Sequence, residues 1–379
     1  MFNASHLIQP VSMIVLTGGP CSGKSSSLAY LTERLSDHGF MVFVIPETAT
    51  LITDNGIDRR KMDRASQVAL YEEAILDMQL SFEETYARTV SRIFPERKKV
   101  ILLDRGVMDI KAFVPEKTFK SMLARKGLKE IELRDRYNGV IHLVTAAEGA
   151  EDFYTGENNG ARIETAEEAI RIDVKIRESW LGHPHFKVID NRTDFDGKIR
   201  RTYATIMQFL GLPALSSIQE RYLIEEVADK DLPAHQVIEI EQVFLRSRSR
   251  GEEIELRKRG QEGSHLYFLK RTRTSDRHGV KAEELISEQQ YLNLKKLMDS
   301  KTDVVTKDRI CFLWNNQHFE LDRYKGRHSG LCTMEVEPAD IPGEGTKIQI
   351  PPFITIRKNI TSNSRYRERN LATKKRGPR

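Results

Sequence analysis

Eight residues near the start, Gly18-Gly19-Pro20-Cys21-Ser22-Gly23-Lys24-Ser25, constrain this chain more than any other feature. They match the pattern G-x-x-x-x-G-K-[ST]. The apolar run 13–17 before them reads as a buried strand, and residues 26–35 after them read as a helix. In that context the glycines let the backbone turn tightly, so that successive N–H groups through Ser26 point at phosphate oxygens. The helix N-terminus adds partial positive charge. Lys24 is placed to reach the β- and γ-phosphates of a nucleoside triphosphate, and the Ser25 hydroxyl to ligate Mg²⁺.

A chain of 379 residues should hold two domains. Strand-like runs at 13–17, 41–46, 100–104, 140–144 and 186–190 alternate with helical patterns. The clearest helix is 66–91, with Val68, Tyr71, Ile75, Met78, Phe82 and Tyr86 on one stripe. Alternation of this kind predicts an α/β domain over residues 1–213, with a parallel sheet covered on both faces. The second half changes character. Strand candidates at 237–245, 253–259, 265–273, 309–314, 318–324 and 333–337 predict an antiparallel sheet or barrel over 214–372, interrupted by one helix at 282–297. Residues 373–379 read as a basic tail.

No run of 18 apolar residues exists, and the first residues lack the pattern of a signal peptide. Cys21, Cys311 and Cys332 lie far apart in sequence, which favours neither a disulfide framework nor a zinc site and fits a reducing cytosol. From Arg357 to Arg379 there are nine basic residues and one acid, Glu368, so the net charge of +5 is concentrated at this end. Such an end can make peripheral contact with anionic lipid, or be a solvated face. Nucleic acid is not the expected partner.

Asp104 ends the run 100–103, where a carboxylate can hold a metal ion or its water. Arg105 follows and can reach a phosphate. Glu47, just past the second strand, is a candidate acceptor for a hydroxyl proton, or else a plain helix cap. Residues 154–165 are polar and glycine-containing and read as a lid, with Arg162 or Arg171 available to neutralise transition-state charge.

Those residues carry a resemblance. The loop 18–25, the Pro46-Glu47 step, Gln79, Asp104-Arg105-Gly106 and Asp190-Asn191 resemble the AAA-type P-loop family that includes the nicotinamide riboside kinase domain. The resemblance spans 12–212 and implies a small-molecule-kinase-like fold, with Asn191 near the base. No Asn-Lys-x-Asp motif is present, so GTP and ATP stay open as ligands.

A second set follows in order: Ser217 to Ile224, Glu239 to Leu245, Glu255 to Gly260, Glu288 to Tyr291, Lys307 to Arg309, Glu320 to Tyr324 and Met334 to Glu337. It is similar to a CYTH, or triphosphate tunnel, domain. The alternation of strand residues puts Arg257 with Arg259, and Lys307 with Arg309, on one face. With Arg221 they would form an anion-binding interior, and Glu335 and Glu337 would be metal ligands. The family's first-strand Glu-x-Glu-x-Lys is replaced by Ser217, Gln219 and Arg221, which weakens the expectation of metal-dependent triphosphatase chemistry. The two domains in this order resemble the TRPL translocation defect protein family. That resemblance implies a nucleotide-binding protein whose second domain binds phosphoinositide in membrane trafficking. A small-molecule kinase using ATP and Mg²⁺ is the alternative.

Overall fold

The computed structural model describes residues 10–151, 154, 165–212, 220–247, 251–273, 281–336, 339–341 and 345–374. The chain divides into two compact units, Met1–Leu215 and Ser216–Arg379.

The first unit is built on β1 (Val11–Thr17), β2 (Met41–Ile45), β3 (Lys99–Asp104), β4 (Gly139–Leu143) and β5 (Phe186–Ile189), in the order β2-β3-β1-β4-β5. Every neighbouring pair is parallel. Among the described residues seven α-helices accompany the sheet: α1 (Lys24–Asp37), α2 (Thr48–Asp54), α3 (Ala65–Ile93), α4 (Glu116–Lys126), α5 (Glu130–Arg134), α6 (Ala166–Ser179) and α7 (Phe195–Phe209). Parallel strands need crossovers, and the crossovers cover both faces. This is why β3 and β4 are buried at every residue and read as unbroken apolar runs. One core joins Ile14, Leu16, Val100, Leu102 and Ile141 to Leu28, Leu31 and Leu35 of α1. The β1–β3 register sets Leu16 opposite Asp104, so the end of β3 lies beside the start of the glycine loop.

Helix α3 departs from expectation. The stripe through Ile75, Met78 and Phe82 is only partly covered, and Met78 is exposed. The deepest face carries Glu72, Leu76, Gln79, Glu83 and Val90. Buried polar groups are tolerated there because they pair. The Thr48 hydroxyl donates to Gln79, Gln79 Nε2 donates to Glu83 at 3.0 Å, and the Tyr137 hydroxyl donates to Glu83 at 2.8 Å.

The second unit is a nine-stranded sheet, ordered β10-β9-β8-β7-β11-β12-β13-β6-β16, with every neighbouring pair antiparallel. Its strands are β6 (Glu220–Ile224), β7 (His235–Leu245), β8 (Glu252–Gln261), β9 (Ser264–Arg273), β10 (Lys281–Ile286), β11 (Val305–Trp314), β12 (Gln317–Tyr324), β13 (Cys332–Val336) and β16 (Ile356–Asn359). A separate pair, β14 (Ala339–Ile341) and β15 (Gly345–Lys347), stands beside it in the chain order. Asn315 and Asn316 both take positive φ, 46° and 60°, which closes the β11–β12 hairpin with the twist its strands need.

The helix expected at 282–297 is corrected. Its first part is strand β10, paired to β9 from Lys281 to Ile286. Ser287 then opens α8 (Glu288–Lys295) with a capping box to Gln290. The Ser-x-x-Gln signature marked the true start. A last short helix, α9 (Glu368–Ala372), follows β16. Among the described residues no helix is long and apolar enough to cross a membrane.

Candidate functional site

Gly18 has φ +146° and Gly23 φ +86°, a conformation L side chains rarely adopt. A Cβ on Gly18 would stand 2.1 Å from the Leu143 carbonyl oxygen, and one on Gly23 would stand 2.6 Å from the Phe195 ring. The loop between β1 and α1 is therefore pressed against β4 and α7, and only glycine fits at these two positions. Lys24 Nζ reaches back over the loop to the carbonyls of Gly18 at 3.0 Å and Gly19 at 3.2 Å, and to Ser22 Oγ at 3.2 Å. Burial lowers its affinity for a proton and the Arg105 charge adds to this, while Asp104 and Glu47 oppose both.

Ser25 and Asp104, assigned to the metal from sequence, come together: Ser25 Oγ lies 3.4 Å from Asp104 Oδ2. Asp104 is buried, and its Oδ1 has no hydrogen-bond partner. Burial raises its pKa against the pull of Lys24. A buried carboxylate oxygen without a partner, beside a hydroxyl at the phosphate loop, is a donor set that suits a divalent cation.

Glu47 stands at the N-cap position of α2, and its carboxylate accepts from Arg105 and from the Thr50 hydroxyl at 2.7 Å. Burial disfavours its charge, but Arg105, Lys24 and Thr50 outweigh this and hold Glu47 at about 2. Arg105 also pairs with Asp109 at 3.1 Å and takes φ +71°, an unusual backbone state for arginine. Strain of this kind concentrates at functional positions, where the surroundings over-determine it. Here Asp109 is itself fixed by the Thr17 hydroxyl and by Trp180 Nε1 at 2.6 Å.

Two groups under the loop were not expected. Asp173 of α6 is fully buried and accepts from Gly19 N at 2.8 Å, from Thr145 N at 3.1 Å, and lies 2.9 Å from His142 Nε2. Burial works against its charge, yet His142 and these donors hold it at about 2. Lys198 of α7 donates to Ser22 O at 3.0 Å, Val144 O at 2.7 Å and Asn191 Oδ1 at 2.7 Å. Burial brings it down to about 8. Nothing in the local spacing of Asp173 or Lys198 announces contact with a loop 154 and 176 residues earlier in the chain.

Asn191 does not fit its expected place at the base. Its Nδ2 donates to Thr145 O and Glu148 O, both at 2.7 Å, and its Oδ1 accepts from Lys198. The amide is spent on holding the loops after β4 and β5. Arg162 lies outside the described residues, as do Ser217, Gln219 and Glu337. Arg171 is exposed on α6.

Glu72 on α3 is 3% exposed and sits 3.7 Å from Arg59. Burial pushes it up to about 7, against the pull of Arg59 and Arg105. The stability this group contributes is fully present below its ordinary pKa and is lost as pH rises through 7, because the folded state then carries a buried charge. Between those limits the loss should total about 3 kcal/mol. Glu72→Gln should flatten the profile over this window, as read by urea unfolding at a series of pH values.

In the second unit one sheet face is charged. Across it, Arg221 lies 2.8 Å from both Glu335 and Glu368. Lys307 lies 2.6 Å from Asp322 and 3.4 Å from Glu368. Arg309 forks onto Asp322 at 2.7 and 2.8 Å and also meets Glu320 and Glu335. Arg257 pairs with Glu255 at 2.9 Å and Glu283 at 3.6 Å, while Arg259 is buried on the same face. The parity of the cations is as expected, but the expectation of a basic interior is corrected. Buried carboxylates stand opposite the cations, because an uncompensated buried charge is too costly to keep. Oxygens of Asp322, Glu335 and Glu368 lie within 4.8 Å of one another and are the one group among the described residues with metal-ligand spacing.

Residues 13–198, within the first unit, match a family model described as an AAA domain. No curated protein sequence matches the chain. Solved structures similar to it include one described as the inorganic triphosphatase NE1496, at 24% identity and TM-score 0.32, covering 42% of this chain and 95% of that one. Another is the PH1819 protein from Pyrococcus horikoshii, at 17% identity and TM-score 0.25, covering 32% of this chain and 82% of that one. The first unit is a P-loop nucleotide-binding domain of the AAA type.

Proposed function

We propose that the first unit binds a nucleoside triphosphate with Mg²⁺ and transfers its γ-phosphoryl group to a small hydroxyl-bearing acceptor. The observation that carries this is the meeting of Ser25 with Asp104 beside Lys24, with Asp104 Oδ1 left unpartnered in a buried position. Ser25 and Asp104 would hold the ion, which supplies charge neutralisation at the phosphates. Lys24 leaves the loop carbonyls for the phosphates. Glu47 keeps its negative charge throughout the neutral range and is steered by Arg105, so it can orient an acceptor hydroxyl. Phosphoryl transfer needs positioning more than a strong base, because its transition state is loose. Arg162 would act from the segment after Tyr154. Asp104→Asn should keep most nucleotide affinity in the absence of metal and lower turnover about 100-fold. Product analysis of ATP and GTP against a panel of nucleosides and sugars checks this. Full turnover by the variant would remove Asp104 from the metal site.

A second reading concerns the second unit. Arg221 and Lys307 converge on one carboxylate oxygen of Glu368, which marks a position where an anionic oxygen is stabilised. A polyphosphate or phosphoinositide headgroup would bind there by taking that place. Vesicles with and without phosphoinositide, tested against a Lys307→Glu variant, decide it; equal binding by both proteins sinks the reading.

A further inference from the structure

Apart from the P-loop site the first unit holds a second charged feature that the nucleotide does not explain. A cavity of about 730 Å³ opens between Arg59 and the outer turns of α6, lined by Glu168, Ile170, Arg171, Ile172, Val174 and Lys175. Three cations border it against one acid. That acid, Glu168, accepts from Thr165 N at 2.9 Å to close the capping box of α6, so the cations outnumber the acid by two. Ile170, Ile172 and Val174 are half-buried and add an apolar wall. Arg59 is held in place from behind, with its guanidinium 5.4 Å from the Phe113 ring centre and 3.7 Å from Glu72.

The cavity lies on the Glu47 side of the unit. Arg59 meets Glu72 on α3, and the neighbouring Tyr71 hydroxyl donates to Ala49 O in α2, the helix that opens at Glu47. Helix α6 carries Asp173 inward to the Gly19 amide, two residues from Arg171 and two from Lys175. The same helix therefore touches the phosphate loop with one face and borders the cavity with another.

We propose that the acceptor of the first unit is itself an anion, a small phosphomonoester whose phosphate docks on Arg59, Arg171 and Lys175. The proposal rests on the phosphotransfer reading above and narrows it from any hydroxyl compound to a phosphorylated one. Guanidinium forks match phosphate oxygens, and Arg59, Arg171 and Lys175 are all exposed and open to a ligand. The half-buried Ile170, Ile172 and Val174 suit the carbon skeleton of such a molecule. In the reaction, the bond from the γ-phosphorus to the β-phosphate oxygen breaks. A bond forms to an acceptor hydroxyl oxygen that Glu47 orients, the hydroxyl proton passes to solvent, and the nucleoside diphosphate leaves.

The test uses the full chain loaded with Mg²⁺ and a non-hydrolysable ATP analogue, at low salt so that screening does not hide the contact. D-ribose 5-phosphate and D-ribose are titrated separately by calorimetry. The ester should bind saturably and the free sugar should not. Lys175→Glu should weaken the ester about tenfold or more, Lys175→Arg should retain it, and both should leave binding of the ATP analogue unchanged. Absence of saturable ester binding to the wild type, or ester binding untouched by Lys175→Glu, overturns the proposal while the nucleotide reading stands. Failure of both this analogue and its GTP counterpart to bind the wild type overturns the nucleotide reading and this one with it.

Discussion

Lys24→Ala should abolish nucleotide binding, lowering affinity for MgATP and MgGTP at least about 100-fold, or about 3 kcal/mol. Lys24 is the cation whose ammonium already lies over the loop, within 3.2 Å of the Gly19 carbonyl. Burial and the neighbouring Arg105 make that charge costly to keep without an anion. Removing it takes away the group that repays the burial of phosphate charge, and no neighbour can replace it. Lys198 spends its contacts on Ser22, Val144 and Asn191, and Arg105 is held by Glu47 and Asp109. The loop itself should survive, because its shape depends on Gly18, Gly23, Asp173 and Lys198 rather than on the Lys24 side chain. Calorimetric titration separates these effects when the melting temperature is followed in parallel. Unchanged affinity would mean that nucleotide does not bind at this loop.

Arg309→Ala should destabilise the second unit by about 3–5 kcal/mol, the usual result of removing one member of a buried charge pair. Arg309 holds Asp322 through two parallel bonds and also meets Glu320 and Glu335. Its loss leaves the buried carboxylates of Asp322 and Glu320 and the partly buried one of Glu335 with less positive charge. For a unit of this size the melting temperature should fall by about 10 °C. The sign of the pH dependence gives a second check. Burial opposes the charge of Asp322, yet Arg309 and Lys307 hold its pKa well below the usual carboxylate range. Its contribution is therefore present above the ordinary carboxylate pKa and is lost as pH falls through the lowered one. In Arg309→Ala that contribution shrinks, so acid below about pH 4 should cost the variant less stability than it costs the wild type. Thermal unfolding near neutral pH and again well below the ordinary carboxylate pKa reads both effects, and an unchanged melting temperature would mean the charged face adds nothing to folding.

Much of this was legible because the signals are local. The glycine loop needs backbone freedom at Gly18 and Gly23, and a lysine and a serine follow it at set positions, so strand, loop and helix announce the phosphate site within one short window. Asp104 was legible for a related reason, since a charged residue ending an apolar run marks the carboxyl end of a parallel strand. Strand alternation likewise placed Arg257 with Arg259 and Lys307 with Arg309. The misreadings are equally physical. Residues 282–286 carry enough charge to pass for a helix face, and only their pairing with β9 makes them a strand. On α3, hydrophobicity pointed to Ile75, Met78 and Phe82, whereas the buried face is selected by hydrogen-bond partners on other elements.

What the sequence by itself determined is the order of the two units, an α/β one then an antiparallel one, the phosphate loop, and the faces on which the strand cations lie. These follow from periodicity and backbone rules that act over a few residues. The tertiary structure alone decided what those charges face. It set Asp173 and Lys198 against the loop and turned Asn191 into a clamp. It brought Glu368, the lone acid of the basic C-terminal run, onto Arg221 and Lys307. Charge pairing of buried groups is enforced by desolvation at whatever distance in sequence the fold brings them together, and no local pattern records that distance.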